Sequence, residues 1–273
     1  MSSSSSEADL RGARRALREE LAAQLYEALL ERRTVRPLRE RHPELTLDDA
    51  YAISLGILAR REHAGERVIG KKIGVTSAAV QDMLGVHQPD FGFLTDRMQV
   101  ASGGTVSIRE RLIQPRAEAE IALILRRALH GPGVTPQQVL EATESIAPCF
   151  EVVDSRIANW DIRIIDTVAD NASCGVFVLG AERADPRPLD LAALRVQVWK
   201  NGQPLSQGLG SAVQGSPLAS VAWLANTLGG YGVELKAGDV ILSGSLVPLE
   251  PAAPGDEFRL ELQGVGSARI AFA

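Results

Sequence analysis

Hydrophobic positions follow two regimes along the chain. Up to residue 66 they recur at helical spacing; beyond it they gather into short runs punctuated by glycine and proline. Leu10, Leu17, Leu21, Leu25 and Leu29, with arginines and glutamates between them, predict one long amphipathic helix. The serine tract ahead of it, residues 1–8, is expected to be a disordered tail. Pro37 and Pro43 interrupt the pattern, and Thr46 with Asp49 forms the cap signature of a second helix that buries Ala50, Ile53, Ile57 and Leu58. Residues 9–66 therefore read as a helical N-terminal region.

Residues 67–273 read as one large domain of short strands. Residues 68–74 are extended and carry Lys71 and Lys72 between apolar neighbours; residues 77–84 form a short helix stopped by Gly85. A loop over 87–92 follows, then an apolar run ending at Leu125 and a turn at His130-Gly131-Pro132-Gly133. Thr135, Pro136 and Gln138 take the cap, first and third positions of a helix that leads into a second apolar run, Ala147 to Val153. Val176 to Leu179 is a strand, Asn201-Gly202 a hairpin turn, and Ser216-Pro217 the start of a helix closed by Gly229-Gly230. Strands at 240–242 and 258–262 precede a turn through Gly264-Val265-Gly266 and a last strand. Isolated helices among many short strands, with no βαβ alternation, predict an α+β protein with a mixed, barrel-like β-sheet roll.

Composition narrows the function classes. A net charge of −5 makes no electrostatic case for nucleic acid or an anionic membrane. No apolar run approaches the 18 residues of a membrane span. Cys149 and Cys174 lie in apolar runs without metal-ligand spacing, as reduced core cysteines of an intracellular protein do. Glu7, Asp9, Glu19 and Glu20 argue against a transit peptide, so a cytoplasmic protein is expected.

The chemistry sits where charge invades apolar strands. Glu118 and Glu120 alternate with alanines at the entry to the first run, so they share a face about 7 Å apart. Two charges at that distance repel by about 2 kcal/mol at an effective dielectric of 20. Glu151 places a third carboxylate in the second run. A hard divalent cation would resolve the conflict, since three carboxylates around open positions suit Mg²⁺ or Mn²⁺. The same alternation also fits a solvated face of an edge strand. Lys72, Asp90 and the run Asp170-Asn171-Ala172-Ser173 add polar groups in or beside apolar strands. A buried lysine needs an anionic partner, which either a substrate carboxylate or an ordinary salt bridge supplies.

Other patterns lead nowhere. Gly208-Leu209-Gly210 with Gly215 does not join a strand to a helix in a βαβ unit and is no dinucleotide loop. His63 and Glu66 stand at a helix end beside arginines, as surface residues do. No serine sits in a G-x-S-x-G elbow, and the four histidines are scattered.

Five segments carry a resemblance: Gly70-Lys71-Lys72-Ile73-Gly74-Val75-Thr76, Gln88-Pro89-Asp90-Phe91-Gly92, Gln114-Pro115-Arg116-Ala117-Glu118-Ala119-Glu120, Glu151-Val152-Val153-Asp154-Ser155-Arg156 and Val168-Ala169-Asp170-Asn171-Ala172-Ser173. In this order the chain resembles the hydratase/decarboxylase family of the fumarylacetoacetate hydrolase superfamily, from about residue 20 to the C-terminus. The resemblance implies mixed sheets rolled around a site that holds Mg²⁺ or Mn²⁺ on Glu118, Glu120 and Glu151. It makes Lys72 and Asp90 the catalytic residues, with Lys72, Asn171 and Ser173 binding substrate. It implies addition of water to a short 2-hydroxy-2,4-dienoate in meta-cleavage catabolism of aromatic compounds, with decarboxylation of 4-oxalocrotonate or a non-catalytic partner role as alternatives. A homo-oligomer, pentameric or decameric, and a complex with a pathway decarboxylase or aldolase are also implied. The His–Glu dyad of superfamily hydrolases has no clear counterpart here, which disfavours hydrolytic C–C cleavage.

Overall fold

The structure is a computed structural model that describes residues 2–77, 81, 86 and 88–273. The helix expected over 77–84, apart from Ser77 and Gln81, and His87 lie outside the described residues. Helix α1 (Ser2–Glu31) packs on α3 (Leu47–His63), with the single turn α2 (Leu38–Arg41) between the prolines that end the first pattern. Leu21, Ala22, Leu25 and Ala28 meet Ala50, Ile53 and Ile57 in one buried layer. The approach is close: a Cβ on Gly56 would come within 2.7 Å of the Ala22 Cβ. Thr46 and Asp49 form the expected capping box. The fully buried Asp49 carboxylate also accepts from Arg14 Nε at 2.7 Å and Arg18 Nε at 2.6 Å, tying α1 to the start of α3.

Two expectations for this region are corrected. The helix begins at Ser2, so the serine tract is helical rather than a disordered tail; extending a helix already fixed by packing avoids the cost of nucleation. Leu10 is 67% exposed, so the buried seam of α1 starts nearer Leu17 and Leu21.

Beyond α3 the chain forms two sheets. Strands β1 (Val68–Gly74), β2 (Asp90–Thr95), β3 (Gln99–Ala101), β5 (Pro115–Leu125), β6 (Thr143–Asp154), β7 (Cys174–Leu179) and β10 (Val240–Leu242) run in the order β2-β1-β10-β5-β6-β7-β3, and β11 (Glu250–Pro251) pairs with β5. The second sheet orders β4 (Thr105–Val106), β8 (Arg195–Lys200), β9 (Gln203–Leu209), β12 (Glu257–Leu262) and β13 (Gly266–Phe272) as β4-β13-β12-β8-β9. Parallel pairs β1–β10 and β3–β7 sit among antiparallel ones, which makes the first sheet mixed, as the α+β reading expects. Helices α4 (Ile108–Arg111), α5 (Pro136–Ala142), α6 (Ile164–Ala169) and α7 (Pro217–Gly230) connect the strands. Thr135 caps α5 in a capping box with Gln138, and Ser216 caps α7. Asn201 and Gly202 turn the β8–β9 hairpin with φ of 53° and 75°, as a tight two-residue turn requires.

The large sheet separates two buried clusters. The bigger one unites the N-terminal helices with one face of this sheet and with the second sheet. The smaller one, which includes Leu94, Met98, Ala122, Cys149, Phe177 and Leu242, lines the opposite face. Register puts Ala122 beside Leu242, and Cys149 beside Glu120, so this small apolar floor continues directly into the glutamates.

Candidate active site

The site is assembled by the β5–β6 ladder. Glu118 lies directly opposite Glu151, and Glu120 two residues further along β5 lies opposite Cys149. Directly paired antiparallel residues have Cβ atoms about 4.5–5.5 Å apart, so this register forces the carboxylates together. One oxygen from each of Glu118, Glu120 and Glu151 lies within 4.8 Å of the others, a candidate acidic metal-binding triad. Glu120 and Glu151 are almost fully buried, and Glu118 is partly buried. The solvated edge-strand alternative is thereby excluded: β5 lies inside the sheet between β10 and β6.

Few donors offset this charge. Glu120 Oε2 accepts from the Gly244 N–H at 2.9 Å. Gly244 has a φ of 108°, and a Cβ there would meet Thr76 Cγ2 at 2.4 Å, so only glycine brings this amide to the carboxylate. Lys72 Nζ lies 3.1 Å from Glu151 Oε1. Among the described residues, Glu120 Oε1 and both Glu151 oxygens nonetheless have no aligned hydrogen-bond donor. Burial first, then the Glu151 charge, pushes the Glu118 carboxyl up to about 8. Burial with Glu151 and Glu118 raises Glu120 well above its ordinary value. Burial by itself would lower the Lys72 ammonium, but Glu151, with Asp90 and Glu118, holds it above its usual value. Orphaned oxygens and carboxyls that resist ionisation are what a cation-binding cluster shows without its cation, so the donor set fits a hard divalent ion.

Asp90 opens β2 opposite Gly74 at the end of β1. A Cβ on Gly74 would stand 2.3 Å from Asp90 Oδ1 and 3.3 Å from Lys72 Nζ, so the missing side chain makes room for both groups. Burial raises the Asp90 carboxyl despite the opposing Lys72 charge. Its Oδ1, on the side of Gly74, has no side-chain hydrogen-bond partner among the described residues, while Oδ2 faces Thr167 Oγ1 at 3.4 Å; Thr167 Oγ1 in turn is 3.4 Å from Ser173 Oγ. Ser173 thus reaches Asp90 through Thr167.

Asn171, expected to line the substrate pocket, also has a structural task. Its side chain accepts from the Phe93 N–H at 2.8 Å and donates to the Phe93 carbonyl at 3.0 Å, clamping β2. Asn171, Ala172 and Ser173 all have φ near 50°, a left-handed run that costs of order 1 kcal/mol or more per residue. The buried Arg156–Asp170 pair, at 2.5 Å, fixes the residue just before it. Burial raises Asp170 to about 6 against the pull of Arg156.

Of the residues set aside earlier, His63 is exposed as expected, whereas Glu66 is not a surface residue: its side chain is mostly buried, pairing with Arg61 at 3.0 Å and with the Thr95 hydroxyl. Lys71 faces away from Lys72 and forms a buried pair with Asp239. A cavity of about 530 Å³ on that opposite side is lined by Lys71, Asp239, Phe93 and Glu62 but by none of the three glutamates. Thr167 had no sequence signal of a role in the site, and Gly74 only its place in the segment 70–76.

A mixed-sheet α+β chain with a buried acidic triad, a lysine and an isolated aspartate defines a class of protein built around anion and cation handling. Residues 60–272 match the family model described as fumarylacetoacetate (FAA) hydrolase C-terminal, and the chain belongs to the fumarylacetoacetate hydrolase family. It is 64% identical over 249 residues to a 2-hydroxyhexa-2,4-dienoate hydratase of Comamonas testosteroni, covering 91% of this chain and 94% of that one. It is 62% identical over 214 residues to a 2-hydroxypent-2,4-dienoate hydratase of Pseudomonas putida, covering 78% and 96%. Hydratases are hydro-lyases. Among solved structures, 4-oxalocrotonate decarboxylase from Pseudomonas putida G7, complexed with magnesium and adipate, superposes with a TM-score of 0.92 at 38% identity, covering 95% of this chain and 98% of that one. Among the described residues, no helix is long and apolar enough to cross a membrane.

Proposed function

We propose that the protein is a hydro-lyase that adds water to 2-hydroxypenta-2,4-dienoate, or a close homologue, to give a 4-hydroxy-2-oxoalkanoate. The observation that carries this reading is the convergence of Glu118, Glu120 and Glu151, with unsatisfied oxygens, beside Lys72 and Asp90. Identity above 60% to relatives named as dienoate hydratases supports the choice of reaction. Glu118, Glu120 and Glu151 would hold Mg²⁺ or Mn²⁺, which when bound supplies a Lewis acid for the substrate's carboxylate and C2 oxygen.

The remaining work falls to the chain's own residues. Lys72, a persistent cation, stabilises negative charge growing on the C2 oxygen as the dienol loses its hydroxyl proton. Asp90, whose carboxyl is raised by burial, delivers a proton to C5, which leaves a 2-oxo-3-enoate. The Asp90 carboxylate then takes a proton from water as the water oxygen bonds to C4, and C3 takes from solvent a proton equivalent to the one the dienol hydroxyl released to it, so the net change is one added water. The apolar floor below Glu120 limits competing water at the carbon chain.

The same site supports a second reading, decarboxylation of 4-oxalocrotonate, because a chain of that name shares the fold closely. Asp90 weighs against it, since its carboxylate, once the proton has been given up, opposes a second substrate carboxylate. Incubation of the purified protein with each substrate and Mg²⁺, followed by product identification, decides between them. A 4-hydroxy-2-oxo acid is expected; CO₂ release at a matching rate refutes the assignment. The proposal extends to a cytoplasmic homo-oligomer, pentameric or decameric, able to associate with a pathway decarboxylase or aldolase. Light scattering of the isolated and mixed proteins tests that extension.

A further inference from the structure

We propose that Thr167 is a positioning residue for Asp90, holding its carboxyl so that Oδ1 stays free on the side of Gly74 and Lys72. The inference rests on the reading of Asp90 as the proton-transfer group. Asp90 is 1% exposed, yet among the described residues only one of its two oxygens meets a side-chain donor. That donor is Thr167, 4% exposed, whose hydroxyl proton points to Asp90 Oδ2. With its proton so used, Thr167 is left to accept from Ser173, and a directional row of hydroxyls, Ser173 to Thr167 to Asp90, results. Both contacts are 3.4 Å, the loose spacing that sites show before substrate tightens them. The free Oδ1 lies on the Gly74 side, where a Cβ would collide with it and approach Lys72 Nζ. Proton exchange with substrate therefore falls to Oδ1, and Thr167 determines which oxygen that is.

Part of the anchoring of Thr167 comes from outside the matched family segment, residues 60–272. Its neighbour Asp166 is fully buried and accepts from Leu38 N at 2.7 Å, Arg39 N at 3.2 Å, Arg39 Nη1 at 2.7 Å and Arg163 N at 2.9 Å. Helix α6 is thereby tied to α2. A helical threonine divides between two rotamers, and on a helix held in place the contacts to Asp90 and Ser173 select between them, so the N-terminal region contributes to the orientation of Asp90.

The test uses the full-length protein with 2-hydroxypenta-2,4-dienoate and Mg²⁺. Thr167→Val keeps the shape and removes the hydroxyl; Thr167→Ser restores it. The expected result is a tenfold or greater fall in kcat for Thr167→Val with KM within twofold, and recovery to within threefold of wild type in Thr167→Ser. A Thr167→Val kcat within twofold of wild type, with Asp90→Asn inactive, overturns the proposal and leaves the Asp90 reading intact. Equal losses in the Val and Ser variants also overturn it, because Thr167 then acts through packing. Wild-type turnover by Asp90→Asn removes the reading beneath. Thermal unfolding of each variant establishes that folded protein is compared.

Discussion

Lys72 Nζ lies 3.1 Å from Glu151 Oε1, although their strands β1 and β6 are separated by β10 and β5. In a flat sheet three strand steps span about 14 Å. The contact therefore requires the sheet to curl so that this face is concave, and the curl brings the ammonium over the carboxylates. Lys71, one residue away, is carried to the other side of β1 and pairs with Asp239.

That division separates two variants. Lys71→Met breaks a buried ion pair and should lower stability by about 3–5 kcal/mol, with turnover per folded molecule preserved. Lys72→Met removes a charge-assisted contact worth about 1.5–3 kcal/mol and should cut kcat at least tenfold. Denaturant titration beside steady-state kinetics reads both, and identical behaviour of the two variants would contradict the assignment of faces.

The glutamate cluster predicts an activity that depends on a divalent cation. Glu118→Gln and Glu120→Gln should each lose activity by orders of magnitude, and excess chelator should silence the wild type. Without cation, charges near 5 Å repel by about 3 kcal/mol at an effective dielectric of 20. Because Glu118 is pushed up to about 8 from its ordinary 4.5, cation-free Glu118→Gln should match wild-type stability near pH 4 and increasingly exceed it up to pH 9. Near-normal turnover by both variants in chelator would rule the cluster out as the cation site.

Proton linkage follows from the same carboxyl. The folded Glu118 value lies above its ordinary 4.5, so its contribution to cation-free stability is fully present below pH 4.5 and is lost as pH rises through about 8. A cation needs the ionised form and displaces the proton, so its stabilising effect should grow from pH 5 to pH 8 and then level off. Melting temperatures with and without Mg²⁺ across that range measure it; a constant Mg²⁺ shift at every pH is the contrary result.

Asp90 bears on the choice of reaction. Asp90→Asn should abolish hydration while retaining cation binding and binding of a 2-oxo acid analogue such as oxalate. The comparison needs calorimetric titration of the variant and a product assay. Retained hydration by Asp90→Asn, or loss of cation binding along with activity, would mean that Asp90 serves another purpose.

Sequence alone determined the features governed by neighbours a few residues apart. The period of a strand puts Glu118 and Glu120 on one face, and the Thr46 and Thr135 capping boxes and the Asn201-Gly202 hairpin follow from local backbone chemistry. Charge placed in apolar strands marked Glu151, Lys72 and Asp90, because burying it without partners is costly. Tertiary structure decided how those residues meet. The register that sets Glu118 against Glu151, and the curl that brings Lys72 across three strand steps, depend on packing between segments distant in sequence. The same holds for Asn171, whose amide clamps Phe93 on β2, and for Thr167, an ordinary threonine until α6 docks beside Asp90. Periodicity specifies which way a side chain points along its own strand or helix; what it then touches is specified by the long-range contacts that only the folded chain makes.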